Sequence, residues 1–167
     1  MRYENPVNYL MHAFKNKAQW QLGDYFCALW LDAHREATQN ALASGLSASH
    51  QAPILVPVPS HYQKCALRGY VPSQLLAGHL AAATGLTVVN ALTACRALPA
   101  QKSLKRKQRL QNLAGAYAAR HAIADQPVIL VDDVVTSCAT AIAASQSLLD
   151  AGASSVDVWA IARTPLF

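Results

Sequence analysis

Apolar residues recur at helical spacing through the first quarter of the chain: Val7, Leu10, Met11 and Phe14, then Leu22, Phe26, Leu29 and Trp30. This pattern from Pro6 to about Gln39 predicts two helices with a break near Lys17–Gly23. ASGLSASHQ reads as a loop. APILVPVP is a short apolar run closed by prolines, which predicts a buried strand entering a rigid turn. Residues 71–84 predict a helix, with Pro72 in its first turn and Gly85 just past its end.

Farther along, LTVV, LTACRAL and GAYAA read as short strands. PVILVDD lacks polar alternation, as a strand covered on both faces should. An alanine-rich helix over 139–150 follows, ended by Gly152, and SSVDVWAIAR is the last strand. Alternating strand and helix predict an α/β fold with a doubly wound, mostly parallel sheet. We expect one domain over 1–167, with a helical N-terminal part over 1–45 and an α/β core over 52–167. Ligands of such sheets sit at the carboxyl ends of the strands, where Asp132 and Asp133 fall.

Composition narrows the class. Hydrophobic residues make up 53 % of the 167 and charged residues only 14 %, which fits a folded globular chain. No apolar run reaches a membrane span, and MRYENPVNYL lacks the apolar core of a secretory signal. Cys27, Cys65, Cys95 and Cys138 form no CxxC pair, so they read as reduced thiols of a cytoplasmic protein. The three tryptophans and Tyr70 read as core packing, and His61 as a solvated loop residue. Net charge is +5. Lys102, Lys105, Arg106, Lys107 and Arg109 crowd into one acid-free stretch. Such a cluster suits a phosphorylated substrate or nucleic acid, or it is a solvated face.

Three chemistries use an apolar strand ending in Asp-Asp. A Walker B strand needs a GxxxxGK[ST] loop, and no glycine here precedes a lysine. A receiver domain carries its acidic pair on the first strand, whereas this pair lies near the end of the chain. A ribose 5-phosphate site uses the carboxylates to accept hydrogen bonds from the sugar hydroxyls. Its following turn aims backbone N–H groups and a helix N-terminus at the phosphate. Thr136, Ser137 and Thr140 supply hydroxyls at that turn. Two surface aspartates capping a turn are the plainer alternative. Adjacent carboxylates repel, so a cation or hydroxyl donors should lie close by.

VILVDDVVTSCAT resembles the 5-phosphoribosyl-1-pyrophosphate (PRPP) motif of type I phosphoribosyltransferases: apolar strand, Asp-Asp, then Thr-Thr-Gly-x-Thr. The whole chain is similar to the ComF/GntX family of that superfamily. FKNKAQWQLGDYFCALWL, LVPVPSHYQKCALRGYVPSQLLA and RALPAQKSLKRKQRLQNLAGAY resemble that family's other segments, in the same order. The resemblance implies a phosphoribosyltransferase fold that uses Mg²⁺ and PRPP, moves ribose 5-phosphate to an unidentified acceptor and releases pyrophosphate. By match, Asp132 and Asp133 are the catalytic carboxylates, holding the ribose hydroxyls and touching the metal only through water. Thr136, Ser137, Cys138, Ala139 and Thr140 cradle the 5′-phosphate. The turn from Ser60 and the cation Arg68 meet the pyrophosphate. Lys102, Lys105 and Arg109 neutralise charge from a mobile lid, while Asn112 and Gly115 are structural matches. The family's link to DNA uptake and competence implies a second reading: a non-catalytic module that binds PRPP and single-stranded DNA. The resemblance leaves the oligomeric state open.

This chain departs from the family pattern at several points, of which Ser137 for threonine is mild because the hydroxyl is kept. It lacks the Cys-rich zinc ribbon with which the family usually begins, so no metal knuckle is expected. Val71 stands where the family has asparagine. Cys138 stands where the phosphate turn has glycine. If the position requires φ > 0, cysteine costs roughly 1 kcal/mol or more. If the geometry is an ordinary helix start, the turn survives and the pocket narrows.

Overall fold

The computed structural model describes residues 1–48, 51–60, 65–66, 68–95 and 115–164. Three helices open the chain: α1 (Val7–Asn16), α2 (Leu22–Ala33) and α3 (Arg35–Ala48). α1 buries Met11 and Phe14 three positions apart, and α2 buries Gly23, Phe26, Cys27 and Trp30 along one stripe. Helical periodicity thus places both inner faces correctly. Two details differ from the sequence reading. A second break falls at His34, whose ring stacks on Trp30 with centroids 4.6 Å apart while Nδ1 lies 2.8 Å from the Trp30 carbonyl oxygen. And α3 continues through 43–48, where a loop was expected. Alanine and leucine there sustain the helix, and one glycine is tolerated.

The core sheet is parallel. β4 (Pro127–Val135) lies between β1 (Ile54–Pro57) and β5 (Ser155–Arg163). Two short segments extend it. Residues 87–89 join the open edge of β1 through Leu55 N–H to the Thr87 carbonyl (2.9 Å) and Val89 N–H to the Leu55 carbonyl (2.9 Å). At the other edge, Arg163 N–H donates to the Met1 carbonyl and Tyr3 N–H to the Arg163 carbonyl. A two-stranded antiparallel ribbon, β2 (Leu92–Ala94) with β3 (Tyr117–Ala119), stands apart from this sheet.

Helices cover both faces. α4 (Pro72–Thr84) connects β1 to residues 87–89 and packs with α1 and α2 on Leu55, Ile129, Val131 and Ile161. α5 (Ala139–Asp150) connects β4 to β5 and packs with the ribbon on Ile54, Val56, Val128 and Leu130. Consecutive β4 residues therefore serve opposite cores, which is why the strand shows no polar alternation. The connection from β1 winds to one side and that from β4 to the other, so the strand order reverses between them. A doubly wound sheet binds its ligand at that point. The architecture is α/β with N-terminal helices, compatible with the type I phosphoribosyltransferase fold.

Local chemistry fixes the helix ends. Extended Val71 precedes Pro72 at the start of α4, and Gly85 closes it at φ +76 with its N–H on the Ala81 carbonyl. After α5, Gly152 adopts φ +100, and a Cβ there would meet the Ile123 carbonyl oxygen at 2.7 Å. Only glycine allows both that conformation and that approach. Trp30 and Trp159 pack together in the core, but Trp20 is 52 % exposed, so it is not the core residue the sequence suggested. Tyr70 is only half-buried and packs on the rim of Phe14. Among the described residues, no helix is long and apolar enough to cross a membrane.

Candidate functional site

The carboxylate pair sits at a step in the sheet. β1 pairs with β4 only as far as Pro57 opposite Val131, while β4 continues to Val135 against β5. The strand thus runs two residues past the aspartates instead of ending on them. Val58 N–H still reaches the Val131 carbonyl at 2.9 Å. Beyond that bond the β1–β4 register ends, and Asp132 and Asp133 are the next residues of β4, both largely covered.

Strand alternation sends the two carboxylates to opposite faces. Asp133 shares a face with Val131 and meets α1, where Lys15 Nζ lies 2.8 Å from its Oδ1. Both side chains are largely covered, at 13 % and 23 % exposure. Asp132 shares a face with Leu130 and turns toward the ribbon. It is buried, and burial pushes its carboxyl well above the ordinary range; the Asp133 charge adds to this and Lys15 offsets part of it. Each carboxylate also accepts a backbone N–H from the next residue: Asp133 N–H to Asp132 Oδ1 (2.8 Å) and Val134 N–H to Asp133 Oδ1 (2.6 Å). Tyr117 of β3 stands on the Asp132 side. Burial, with the Asp132 charge second, raises its phenol to about 12, and the nearby Thr140 hydroxyl offsets part of this.

The turn after β4 settles the geometry of Cys138. It has φ +60 and ψ −3, in the left-handed region, immediately before α5. Of the two geometries weighed above, this is the one that favours glycine. The helix forms regardless, with Ile142 N–H donating to the Cys138 carbonyl at 2.9 Å. The first-turn N–H groups of α5 have no acceptors within the helix, so the turn presents backbone donors and a positive dipole end. No side chain caps this end. Thr136 is exposed, Ser137 and Thr140 are half-buried, and Ala139 is buried.

Among the remaining candidates, Ser60 follows β1 at the same end of the sheet and receives the Cys65 thiol on its carbonyl at 3.4 Å. Arg68 contacts Asn16 at the end of α1, Nη2 to Oδ1 3.4 Å. Lys102, Lys105 and Arg109 lie outside the described residues, as do His61 and Asn112. Two site residues escaped sequence reasoning. Lys15 has no local signal, because its partner lies in the last quarter of the chain. Arg120, at the end of β3, sits in a small polar cavity with Ser60. Its only sequence signal was a cation just after GAYAA.

The hard oxygen pair suits Mg²⁺, which keeps most of its water shell and takes one or two carboxylates plus phosphate oxygens. Among the described residues no cluster of three or more His, Cys, Asp or Glu could form a complete metal cage.

No family model matches the chain. It is 30 % identical to the DNA utilization protein YhgH of Salmonella typhimurium, over 97 % of this chain and 69 % of that protein. It is 28 % identical to the protein of the same name in Escherichia coli K12, over 97 % and 69 %. It is 27 % identical to competence protein F of Haemophilus influenzae, over 96 % and 69 %. These similarities run nearly the full length of the chain, as the ordered motifs led us to expect. The chain belongs to the ComF family, together with the DNA utilization protein YhgH and competence protein F.

Proposed function

We propose that this protein binds PRPP with Mg²⁺ at the step between β1 and β4. It transfers ribose 5-phosphate to an acceptor and releases pyrophosphate, in a role connected with DNA utilization. The observation that carries this reading is that β4 passes from Asp132 and Asp133, within five residues, into the left-handed turn at Cys138 and a helix N-terminus. Sugar-hydroxyl acceptors and phosphate donors then lie on one continuous piece of chain.

In this reading the turn from Thr136 to Thr140 fixes the 5′-phosphate through backbone N–H and hydroxyl donors. Asp132 and Asp133 accept hydrogen bonds from the 2′- and 3′-hydroxyls and so orient C1. The C1–oxygen bond breaks with its electron pair leaving on pyrophosphate. The acceptor's lone pair forms the new bond at C1, and the acceptor gives up its proton. Mg²⁺, held through water near Asp132 and Asp133, would neutralise charge on the departing oxygens. Cations from this chain, Arg68 and the basic stretch of Lys102, Lys105 and Arg109, serve the same end. The test is pyrophosphate release from PRPP and Mg²⁺ across a panel of acceptor amines, with Asp133→Asn as control. Release by the native protein and not by the control supports the reading. No release above the control with any acceptor counts against transfer.

A second reading, in keeping with a role in DNA utilization, is a non-catalytic module that binds PRPP and single-stranded DNA. Phosphate contacts by the basic stretch would make affinity fall steeply with salt. Labelled single strands titrated over a salt series test it, beside a variant with Lys105, Arg106 and Lys107 neutralised. A salt-independent signal, or one unchanged in the variant, removes this reading.

A further inference from the structure

We propose that the cavity between α5 and the outer edge of β5 binds an aliphatic carboxylate, with the apolar chain along the helix and the carboxylate at Arg163. This site stands apart from the sugar-phosphate reading and does not depend on it. Its volume is about 610 Å³, within the range of small-molecule sites. The cavity exists because α5 covers only part of the sheet. One side of the helix packs on Ile54, Val56, Val128 and Leu130 of β1 and β4. Its other side carries Ile142 and Leu149 beside β5, where strand alternation turns Val158 and Ala160 to the same face. Ile142, Leu149 and Val158 are 53 %, 43 % and 41 % exposed, so the fold leaves a strip of large apolar side chains without a cover.

The two ends of the cavity differ in charge. Arg163 lines the end at the carboxyl side of the sheet. Its backbone is fixed: its N–H donates to the Met1 carbonyl at 2.9 Å, and its carbonyl accepts the Tyr3 N–H at 2.8 Å. Arg2 is its partner in a parallel bridge, so two arginines stand side by side. Among the described residues neither has a carboxylate within ion-pair distance. Like charges opposite each other on neighbouring strands repel, and an anion held there relieves the repulsion. A guanidinium matches the planar carboxylate with two parallel hydrogen bonds. No Asp or Glu lines the cavity. At the far end, the carboxylate of Asp150 accepts the Gln146 amide at 2.8 Å. That acid disfavours an anion beside Leu149, so charge orients the ligand with its head at Arg163.

The walls select an aliphatic body. From Ile142 to Leu149 the helix offers about 10 Å of apolar length, and the strand side is Val158 and Ala160. Trp30 of α2 and His34 just after it close the opposite side. Trp30 already packs with His34 and Trp159, at centroid distances of 4.6 and 4.9 Å, so it serves as a wall and not as a stacking platform for a ligand ring. A long apolar channel with one cationic end excludes a polyanion, whose charge would have to enter the apolar part. It also favours a single chain over the broad surface of a second copy, because the site is concave and bounded by α5 on one side and Trp30 on the other.

The experiment is calorimetric titration of the full chain with octanoate, butyrate and octylammonium at equal ionic strength, with tryptophan fluorescence as a second readout at Trp30. Octanoate should bind saturably, and affinity should rise about two- to fourfold for each methylene added from butyrate to octanoate. Octylammonium, with the same chain and the opposite charge, should bind at least about 10-fold more weakly. Arg163→Gln should lower octanoate affinity about 10-fold and remove the preference over octylammonium. Ile142→Ser and Leu149→Ser alter exposed positions, so the fold is kept, and each should weaken octanoate about fourfold or more. No saturable octanoate binding, equal binding of octylammonium to the native protein, or octanoate affinity unchanged in Arg163→Gln overturns the assignment. So does a dimer in sedimentation equilibrium that Ile142→Ser dissociates, because the apolar strip is then covered by a second copy.

Discussion

Lys15 Nζ lies 2.8 Å from Asp133 Oδ1, joining the first helix to the carboxylate step across most of the sequence. Asp132, on the opposite face of the same strand, has no such cation of its own among the described residues. One carboxylate of the pair is therefore neutralised by the fold, while the other stays buried and costly to ionise.

Removing Lys15 should expose the repulsion directly. Lys15→Met leaves Asp133 without its partner and takes away the charge that lowers the Asp132 pKa. We expect a loss on the order of 1–3 kcal/mol near neutral pH. The loss should be larger at pH 8 than at pH 5, where Asp132 is protonated. Denaturant unfolding at the two pH values checks this, and an equal loss at both would separate Lys15 from Asp132.

Asp132→Asn should stabilise the protein. The folded-state pKa of Asp132 lies above its ordinary 3.8, so the native state holds a proton that the unfolded chain releases. Stability from this group is therefore greatest below pH 4 and falls as pH rises toward the folded pKa. Asparagine removes the pH-dependent penalty and can still accept the Asp133 N–H. The gain at pH 8 should be about 1–4 kcal/mol, shrinking toward zero at pH 4. Melting curves of the two proteins across that range read the effect.

Cys138→Gly should raise stability by up to about 1 kcal/mol, because the φ of +60 costs an L-residue what glycine does not pay. The added unfolded-state entropy of glycine offsets part of the gain. A net loss would mean that thiol packing outweighs backbone strain. Chemical denaturation at fixed pH distinguishes the two.

Elements governed by local rules were legible in the sequence. α4 lies between Pro72 and Gly85, and β4 reads as a strand from its unbroken apolar run, with the candidate pair Asp132–Asp133 near its end. Cys138 was recognisable as a departure, but its φ was not, because residue type alone does not fix whether a turn is left-handed. Other features depend on distant partners. The break at His34 carries no glycine or proline and is held by Trp30. Trp20 has the apolar bulk of a core residue, yet its position before α2 leaves it outside. Lys15 and Arg120 are ordinary surface cations until the fold brings them to the end of the sheet.

The most direct test is thermal melting of the native protein and Cys138→Gly, with and without PRPP and Mg²⁺. Ligand at about 100 times its Kd adds about 2.7 kcal/mol, which for a domain of this size raises Tm by roughly 5–10 °C. The account predicts that shift in the native protein, and a larger one in the glycine variant at the same PRPP concentration. No shift in either protein at millimolar PRPP would contradict a PRPP site at the carboxylate step.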